Sequence, residues 1–488
     1  MMPLLRRRST QILIAVVVVL GLGAALVVYE QFFRAQPAPY FESDEDHFLF
    51  GSVGTEGDEG LPYWVWLVLP RIFPDLLPGP GGYASVGIIA KPGYEMPIGL
   101  SKVTIGYERV GINCAMCHAG SLRASADTVP SILPGAPAHQ LVAEQYLRFL
   151  TDAAADARFT STTILTEISK NYRLPLLERE LYRFVIIPRT RSALLRLREQ
   201  GAWMHSRTEW GRGRLDRVNP IKFRRLDQPV DDTVGTADTM PVWNLKAHTG
   251  PYFWDGMNPD LREAVVSSAS ADGASTAWLD RDFGGWDNDD AREGSSLRRV
   301  MNYISSVPSP KFPLSIDQGL ASSGAAVFRT ECASCHAPGS PRFEQVVPVS
   351  EVGTDRHRLD AWTTNAASAY NALGAGHDWR FSKFAKTEGY VAVALQGLWA
   401  RGPYLHNGSV PTVADLLEPA AARPTQFWRG YDVIDPDRLG FVSTTPEAQR
   451  AGTPFDTTRP GNSNAGHAYG TTLAPELKRA LLEYLKTL

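Results

Sequence analysis

Cys114-Ala-Met-Cys-His118 and Cys332-Ala-Ser-Cys-His336 hold all four cysteines of the chain, each pair two residues apart and followed at once by a histidine. Three chemistries use such pairs. Disulfides are ordinary for cysteines in an exported protein, but they explain neither the repeated gap nor the histidine after each pair. A structural zinc site wants four ligands gathered together, and exported zinc of this type is uncommon. Covalent haem accounts for every feature: two thiols add across the vinyl groups of one porphyrin edge, and the next residue swings under the iron. Cys114, Cys117, Cys332 and Cys335 are therefore the expected attachment points of two haem c groups, with His118 and His336 as proximal iron ligands. Covalent attachment also keeps the group from being lost to the outside.

Around these motifs lie 488 residues, 44% apolar and 21% charged, the composition of a soluble globular protein with length for two or three domains. Each half can bury its own core. A net charge of -3 removes the basic surface that nucleic-acid binding needs, so no such partner is expected. Arg6, Arg7 and Arg8 precede an unbroken apolar run from Ile12 to Tyr29, whose 18 residues are just enough to cross a bilayer as a helix. The arginines are expected to stay cytoplasmic. A cleavable signal peptide is the rival, but its apolar region is usually shorter and no small-x-small cleavage site precedes Arg34. An uncleaved anchor is favoured, giving a single-pass bacterial inner-membrane protein with its body in the periplasm. Cleavage would leave the same body secreted or periplasmic.

Residues 34 to about 60 are acidic and loop-like, with Pro37, Pro39 and the Glu42–Asp46 cluster, and are expected to be a tether. The aromatic and proline-rich stretch Tyr63, Trp64, Trp66, Pro70, Phe73 and Pro74 is expected to pack on the body, with membrane-surface contact as the alternative. An internal repeat extends beyond the cysteine motifs. Gly250-Pro-Tyr-Phe-Trp-Asp-Gly256 lines up with Gly402-Pro-Tyr-Leu-His-Asn-Gly408, and amphipathic stretches follow at Leu261–Val266 and Val413–Leu417. Leu297–Ile304 and Lys478–Leu485 match with Tyr303 set against Tyr484, and apolar residues at helical spacing make both closing helices. Pro308, Pro310 and Pro313 then interrupt the chain before Gly319–Thr330, the expected opening helix of the second half. The repeat is uneven. From histidine to motif the first half spends 136 residues and the second 70, whereas from motif glycine to closing tyrosine the counts are 47 and 76. The longer second segment contains His467.

These residues carry a resemblance to the bacterial di-haem cytochrome c peroxidase superfamily, whose pattern is two haem domains with Phe-Trp-Asp-Gly in the first and Pro-Tyr-Leu-His-Asn-Gly-Ser in the second. It covers most of the chain from about residue 80. Gly397–Thr412 and the tail Gly461-Asn-Ser-Asn-Ala-Gly-His-Ala-Tyr-Gly470 are similar to the branch of bacterial rubber oxygenases and di-haem fatty-acid oxygenases. The resemblance implies a mainly α fold of two cytochrome c-like haem domains with long loop insertions, preceded by one transmembrane helix. The expected divisions are 1–33 anchor or signal segment, 34–80 tether and packing segment, 81–308 first haem domain and 309–488 second.

It also implies roles. Trp254 would stand between the haems and relay electrons, against the plainer reading that it fills space there. The second haem would take His467 as sixth ligand, with His406 as the alternative. The first haem would be the open one, since Asp231–Asn244 contains no histidine and His248 could equally be structural. Where the peroxidases place a glutamate for acid–base work, this chain has Ser268–Ser275 with Asp272 as its only acid. That departure weakens the peroxidase reading and favours an apolar pocket of the oxygenase kind. Arg401 is expected near a haem propionate. Relatives often hold Ca2+ between the domains, a point on which the sequence is silent. His47, His139, His205, His357 and His377 form no constellation.

Two functions follow. In one the chain is an enzyme, with O2 or H2O2 reacting at the His118 haem, an apolar small molecule as co-substrate, and a periplasmic or membrane electron donor or acceptor served by the His336 haem. In the other both irons are six-coordinate and the protein is an anchored, non-catalytic electron carrier.

Overall fold

A computed structural model describes residues 2–283 and 295–488. Helices predominate, joined by long irregular segments and by antiparallel ladders of two or three strands. The first helix, Met2–Phe32, contains the span Gln11–Glu30, whose mean hydropathy is 2.9 and none of which is buried. Among the described residues it is the one helix long and apolar enough to cross a membrane. Its foot is stitched to the hairpin of strands Leu100–Ile105 and Tyr107–Ile112: Gln36 N–H donates to Thr104 O (2.9 Å), Gly106 N–H to Arg34 O (2.8 Å), and Arg109 to Phe32 O (3.1 Å).

The expected tether is in part a built element. Asp44–Phe50 is a helix capped by the Ser43 hydroxyl, and Phe48, Leu49 and Phe50 are buried against the closing helix Ser296–Ser306. The acidic cluster that suggested a solvated linker supplies the helix's first turn, where negative charge complements the helix dipole. Of the aromatic stretch that follows, Tyr63, Trp66 and Phe73 lie inside the core.

The closing helices bury one apolar face each, Leu297, Val300 and Ile304 in the first and Leu481, Leu482 and Leu485 in Pro475–Leu485. Each such side chain removed from water contributes roughly 1.5–3 kcal/mol. The opening helix Gln318–Glu331, capped by Asp317, lies against Pro475–Leu485 so closely that a Cβ on Gly324 would collide with the Ala480 carbonyl. The apolar clusters do not divide at the prolines. Trp362, Tyr370, Phe381 and Phe384 pack into the first cluster, and Leu122, Ala136 and Trp243 into the second. Polar contacts cross the same way: Ser267 Oγ to Tyr370 OH (2.9 Å), Arg123 to Asp432 (2.7 Å) and His248 to Glu344 (2.7 Å).

The repeated loops share one backbone. Tyr252 N–H donates to Asn258 O and Tyr404 N–H to Val410 O, both at 2.7 Å, while Gly256 N–H reaches Phe253 O and Gly408 N–H reaches Leu405 O. Phe253 and Leu405 have φ of 69° and 67°, and Gly256 and Gly408 of 62° and 61°. At Gly408 space adds to the conformational demand, since a Cβ there would run into Asp238 and Arg429.

Candidate functional site

Each cysteine motif sits where a regular element ends. Strand Tyr107–Ile112 stops at Asn113, whose side chain accepts from Ala115 N–H (3.0 Å) and donates to Gly51 O (3.0 Å), turning the chain into Cys114–Met116. Helix Gln318–Glu331 ends at Cys332. In both motifs the histidine N–H donates to the first cysteine's carbonyl, at 3.1 Å for His118 and 3.0 Å for His336. All four thiols are free. Burial pushes the Cys114 thiol up to about 12 and that of Cys332 to about 11.

His118 Nδ1–H donates to Met240 O at 2.8 Å, and His336 Nδ1–H to Val393 O at 2.9 Å. A carbonyl only accepts, so the proton sits on Nδ1 and the Nε2 lone pair is left free. Burial pulls His118 down to about 3 and lowers His336 as well. Both rings are thus neutral, the form that binds a metal.

Each histidine opens on a cavity. The first is lined by Cys114, His118 and Met240, and by Leu261, Ala264, Val265 and Ser268, which fall on one face of helix Leu261–Ala271. Val300 and Ile304 of the closing helix complete its apolar wall. Asp272 and Arg217 stand in the same lining, 4.0 Å apart, and burial raises the proton affinity of Asp272. The second cavity is lined by Cys332, Cys335, His336, Tyr390, His406 and His467 together with apolar residues that include Leu481 and Leu485. Pro241, Trp254, Val393 and Arg401 border both cavities. On this shared wall the Trp254 indole N–H donates to Asp238 O (2.8 Å), and Asp238 N–H in turn donates to His406 O (2.8 Å).

His467 faces His336 with ring centroids 6.3 Å apart. The Nδ1 of His467 is buried without a partner, and burial pulls the ring down to about 4. Its loop is held by Arg423, which donates to the carbonyls of Asn464 (2.6 Å), Gly466 (2.8 Å) and His467 (3.2 Å). His406 is buried in the cavity wall, stacked on Tyr390 at 3.8 Å.

His248 borders the first cavity with both ring nitrogens engaged, Nδ1 with Glu344 (2.7 Å) and Nε2 with Pro251 O (3.2 Å). Burial opposes its charge, but the hydrogen bond and charge of Glu344 outweigh that and raise it. It is a structural link between the halves. His47, His139, His205, His357 and His377 bond to Ser296, Ser121, Arg148, Asp355 and Asp280. Arg401 donates to Ala394 O (2.6 Å) and Gln396 O, its Nε is buried without a partner, and burial pulls it down to about 10. An uncompensated guanidinium on this wall suits the acidic substituents of a haem. Paired thiols, free Nε2 atoms and an apolar cavity beside each pair fit two haem c groups. For Ca2+, no group of three or more His, Cys, Asp or Glu suited to a metal ion occurs among the described residues.

Sequence reasoning missed the Met240 and Val393 carbonyls, because acceptors on the main chain have no residue type. A signal existed nearby. Asn244-Leu-Lys-Ala and Gly397-Leu-Trp-Ala precede the repeated loops, and both turn through a left-handed residue, φ 49° and 62°, into short 3-10 turns at Leu245–Ala247 and Leu398–Ala400.

Residues 389–429 match the model of a family described as RoxA-like, cytochrome c-like. That segment contains Val393, Arg401 and the second repeated loop. Two proteins of Sinorhizobium fredii (strain NBRC 101917 / NGR234) are similar to the chain. The uncharacterized protein y4iJ is 33% identical over 255 residues, 38% of this chain and 42% of its own length. The uncharacterized protein y4iM is 33% identical over 238 residues, 38% and 53% respectively. The chain spans about half the length of these curated relatives.

Proposed function

We propose that the chain is a membrane-anchored di-haem c-type oxidoreductase, with dioxygen or peroxide chemistry at the His118 cavity and electron exchange at the His336 cavity. The observation that carries this reading is the unlike lining of two otherwise equivalent sites. Beside His336, in the lining of the same cavity, stands a second imidazole, His467, with ring centroids 6.3 Å apart. The His118 cavity has instead the apolar face of Leu261, Ala264 and Val265, and its other histidine, His248, has both nitrogens engaged. Cys114 and Cys117 would hold one haem and Cys332 and Cys335 the other, with His118 and His336 as ligands and His467 as the sixth ligand at the second. When bound, such a group supplies an iron that exchanges single electrons and, where a coordination position is open, reacts with dioxygen or peroxide.

The chain's own residues supply the rest. Trp254, on the wall common to both cavities, offers an aromatic path for electrons, and its bond to Asp238 O fixes the indole. Leu261, Ala264 and Val265 exclude water and suit an apolar co-substrate. Asp272 provides a half-buried acid whose proton affinity is raised by burial, with Arg217 restraining the rise. Arg401 offers positive charge to the haem propionates. Residues 81–308 and 309–488 would form the two haem domains with interpenetrating cores, and Gln11–Glu30 would hold them on the periplasmic side of the inner membrane, beside their electron donor or acceptor.

Absorption and EPR spectra of the haem-loaded protein test this, taken as isolated and after peroxide or oxygen meets the reduced form. One high-spin iron that binds the added ligand and one low-spin iron that does not are expected. Two unresponsive low-spin irons would leave an anchored electron carrier without catalysis.

A further inference from the structure

The helical stretch from Leu176 to Gln200 carries apolar side chains that the fold leaves uncovered: Leu176, Leu177 and Phe184 are 76%, 56% and 69% exposed, and Tyr172, just before it, is 42% exposed. A surface helix normally turns such residues inward. This one buries Tyr182, Ile186 and Ile187 and still presents a second apolar set outward. Arginines flank that set: Arg173, Arg179 and Arg189 are exposed, and Arg183 pairs with Glu180 at 3.2 Å. Within the stretch the turn Tyr182–Ile186 is of π form. Pro188 accounts for it, because its ring displaces the carbonyl four residues earlier, that of Phe184.

The position of this surface is set by the foot of the N-terminal helix. Phe32 meets Tyr107 edge-on with centroids 6.4 Å apart, and Tyr107 meets Tyr182 at 6.3 Å. Gln36, Tyr107, Tyr172 and Leu181 line a single cleft between the foot and the helix. The uncovered apolar residues therefore lie beside the point where the candidate span leaves the body.

We propose that the face formed by Tyr172, Leu176, Leu177 and Phe184 rests in the headgroup region of the same bilayer the N-terminal helix crosses, as a second contact with the lipid surface. This rests on the anchored reading above. The apolar side chains enter the interface and the arginines meet lipid phosphates, the arrangement of an interfacial amphipathic helix. Anchor and face together would fix the orientation of the body, which a single span leaves free to turn.

The test uses the full haem-loaded chain in nanodiscs of phosphatidylglycerol and phosphatidylcholine. Three variants are compared: Phe184→p-benzoylphenylalanine, Leu20→p-benzoylphenylalanine inside the span, and Val129→p-benzoylphenylalanine on an exposed turn between strands Ala119–Leu122 and Ser131–Pro134. After irradiation, lipid adducts are expected at 20 and at 184, the latter in several-fold excess over 129. Adducts at 20 with 184 no higher than 129, or at 184 to a second protein chain, would overturn the face while leaving the anchor intact. Absence of lipid adducts at 20 and 184 alike would overturn both.

Discussion

The loops Tyr252–Asn258 and Tyr404–Val410 follow one backbone path and put different side chains at its third position, Trp254 in the first and His406 in the second. Above the first loop's cavity runs helix Leu261–Ala271; above the second hangs the loop that carries His467. The two histidines that follow the cysteines are oriented by equivalent carbonyls, so the difference does not lie beneath the cavities. It lies in what was inserted over them. The chain from motif glycine to closing tyrosine is longer in the second half, 76 residues against 47, and the added length carries the His467 that lines the second cavity.

The comparison can be broken or sharpened by substitution. The largest effect is expected from His118→Ala or Cys117→Ala, which should halve the covalent haem content while the His336 site keeps its spectrum; pyridine haemochrome analysis of the purified chain reads this. Next, His467→Gly should convert the low-spin iron to high-spin, whereas His406→Phe, which keeps the stack on Tyr390, should not. Loss of the low-spin EPR signal in the His406 variant alone would reverse the two assignments. Trp254→Phe should slow electron transfer between the sites at least about tenfold, about 1.4 kcal/mol in the barrier, with both spectra unchanged; flash photolysis measures the rate. Gly408→Ala, which meets both positive φ and the Asp238 and Arg429 side chains, should destabilise the fold by about 1–3 kcal/mol.

The smallest effect is one of pH. His248 is raised by Glu344, so its contribution is whole below the unfolded value of about 6.5 and is lost as pH climbs through its higher folded value. Burial opposes the charge of Glu344, but the His248 hydrogen bond, the Thr249 bonds and the charge of His248 together outweigh it and lower the group. Its share is present above about 4.3 and lost on acidification through its lower folded value. The contact is therefore strongest between those two reference values. A thermal midpoint that falls from pH 6 to pH 8.5 in the natural chain, and falls less in His248→Gln, is expected.

Much of this architecture was legible in the residues. The cysteine motifs, the repeated loops and both closing helices leave local signals, because spacing and turn chemistry are properties of neighbouring residues. Helix Asp44–Phe50 was misread as tether because an acidic first turn and an acidic linker look alike until the three apolar residues after it find a core. The packing of Trp362, Tyr370 and Phe384 into the first cluster was invisible for a different reason, since nothing local says which half an aromatic will join. The face of Leu177 and Phe184 reads as an ordinary amphipathic pattern until its exposure is seen.

That crossed packing has a consequence for how the molecule comes into being. A chain that emerges from its N-terminus exposes the Ser267 side of helix Leu261–Ala271 until Tyr370 and its neighbours follow, about a hundred residues later. Through that interval the first cavity lacks a finished support. The first half therefore reaches its packed form only once the second has supplied Tyr370, Phe381 and Phe384.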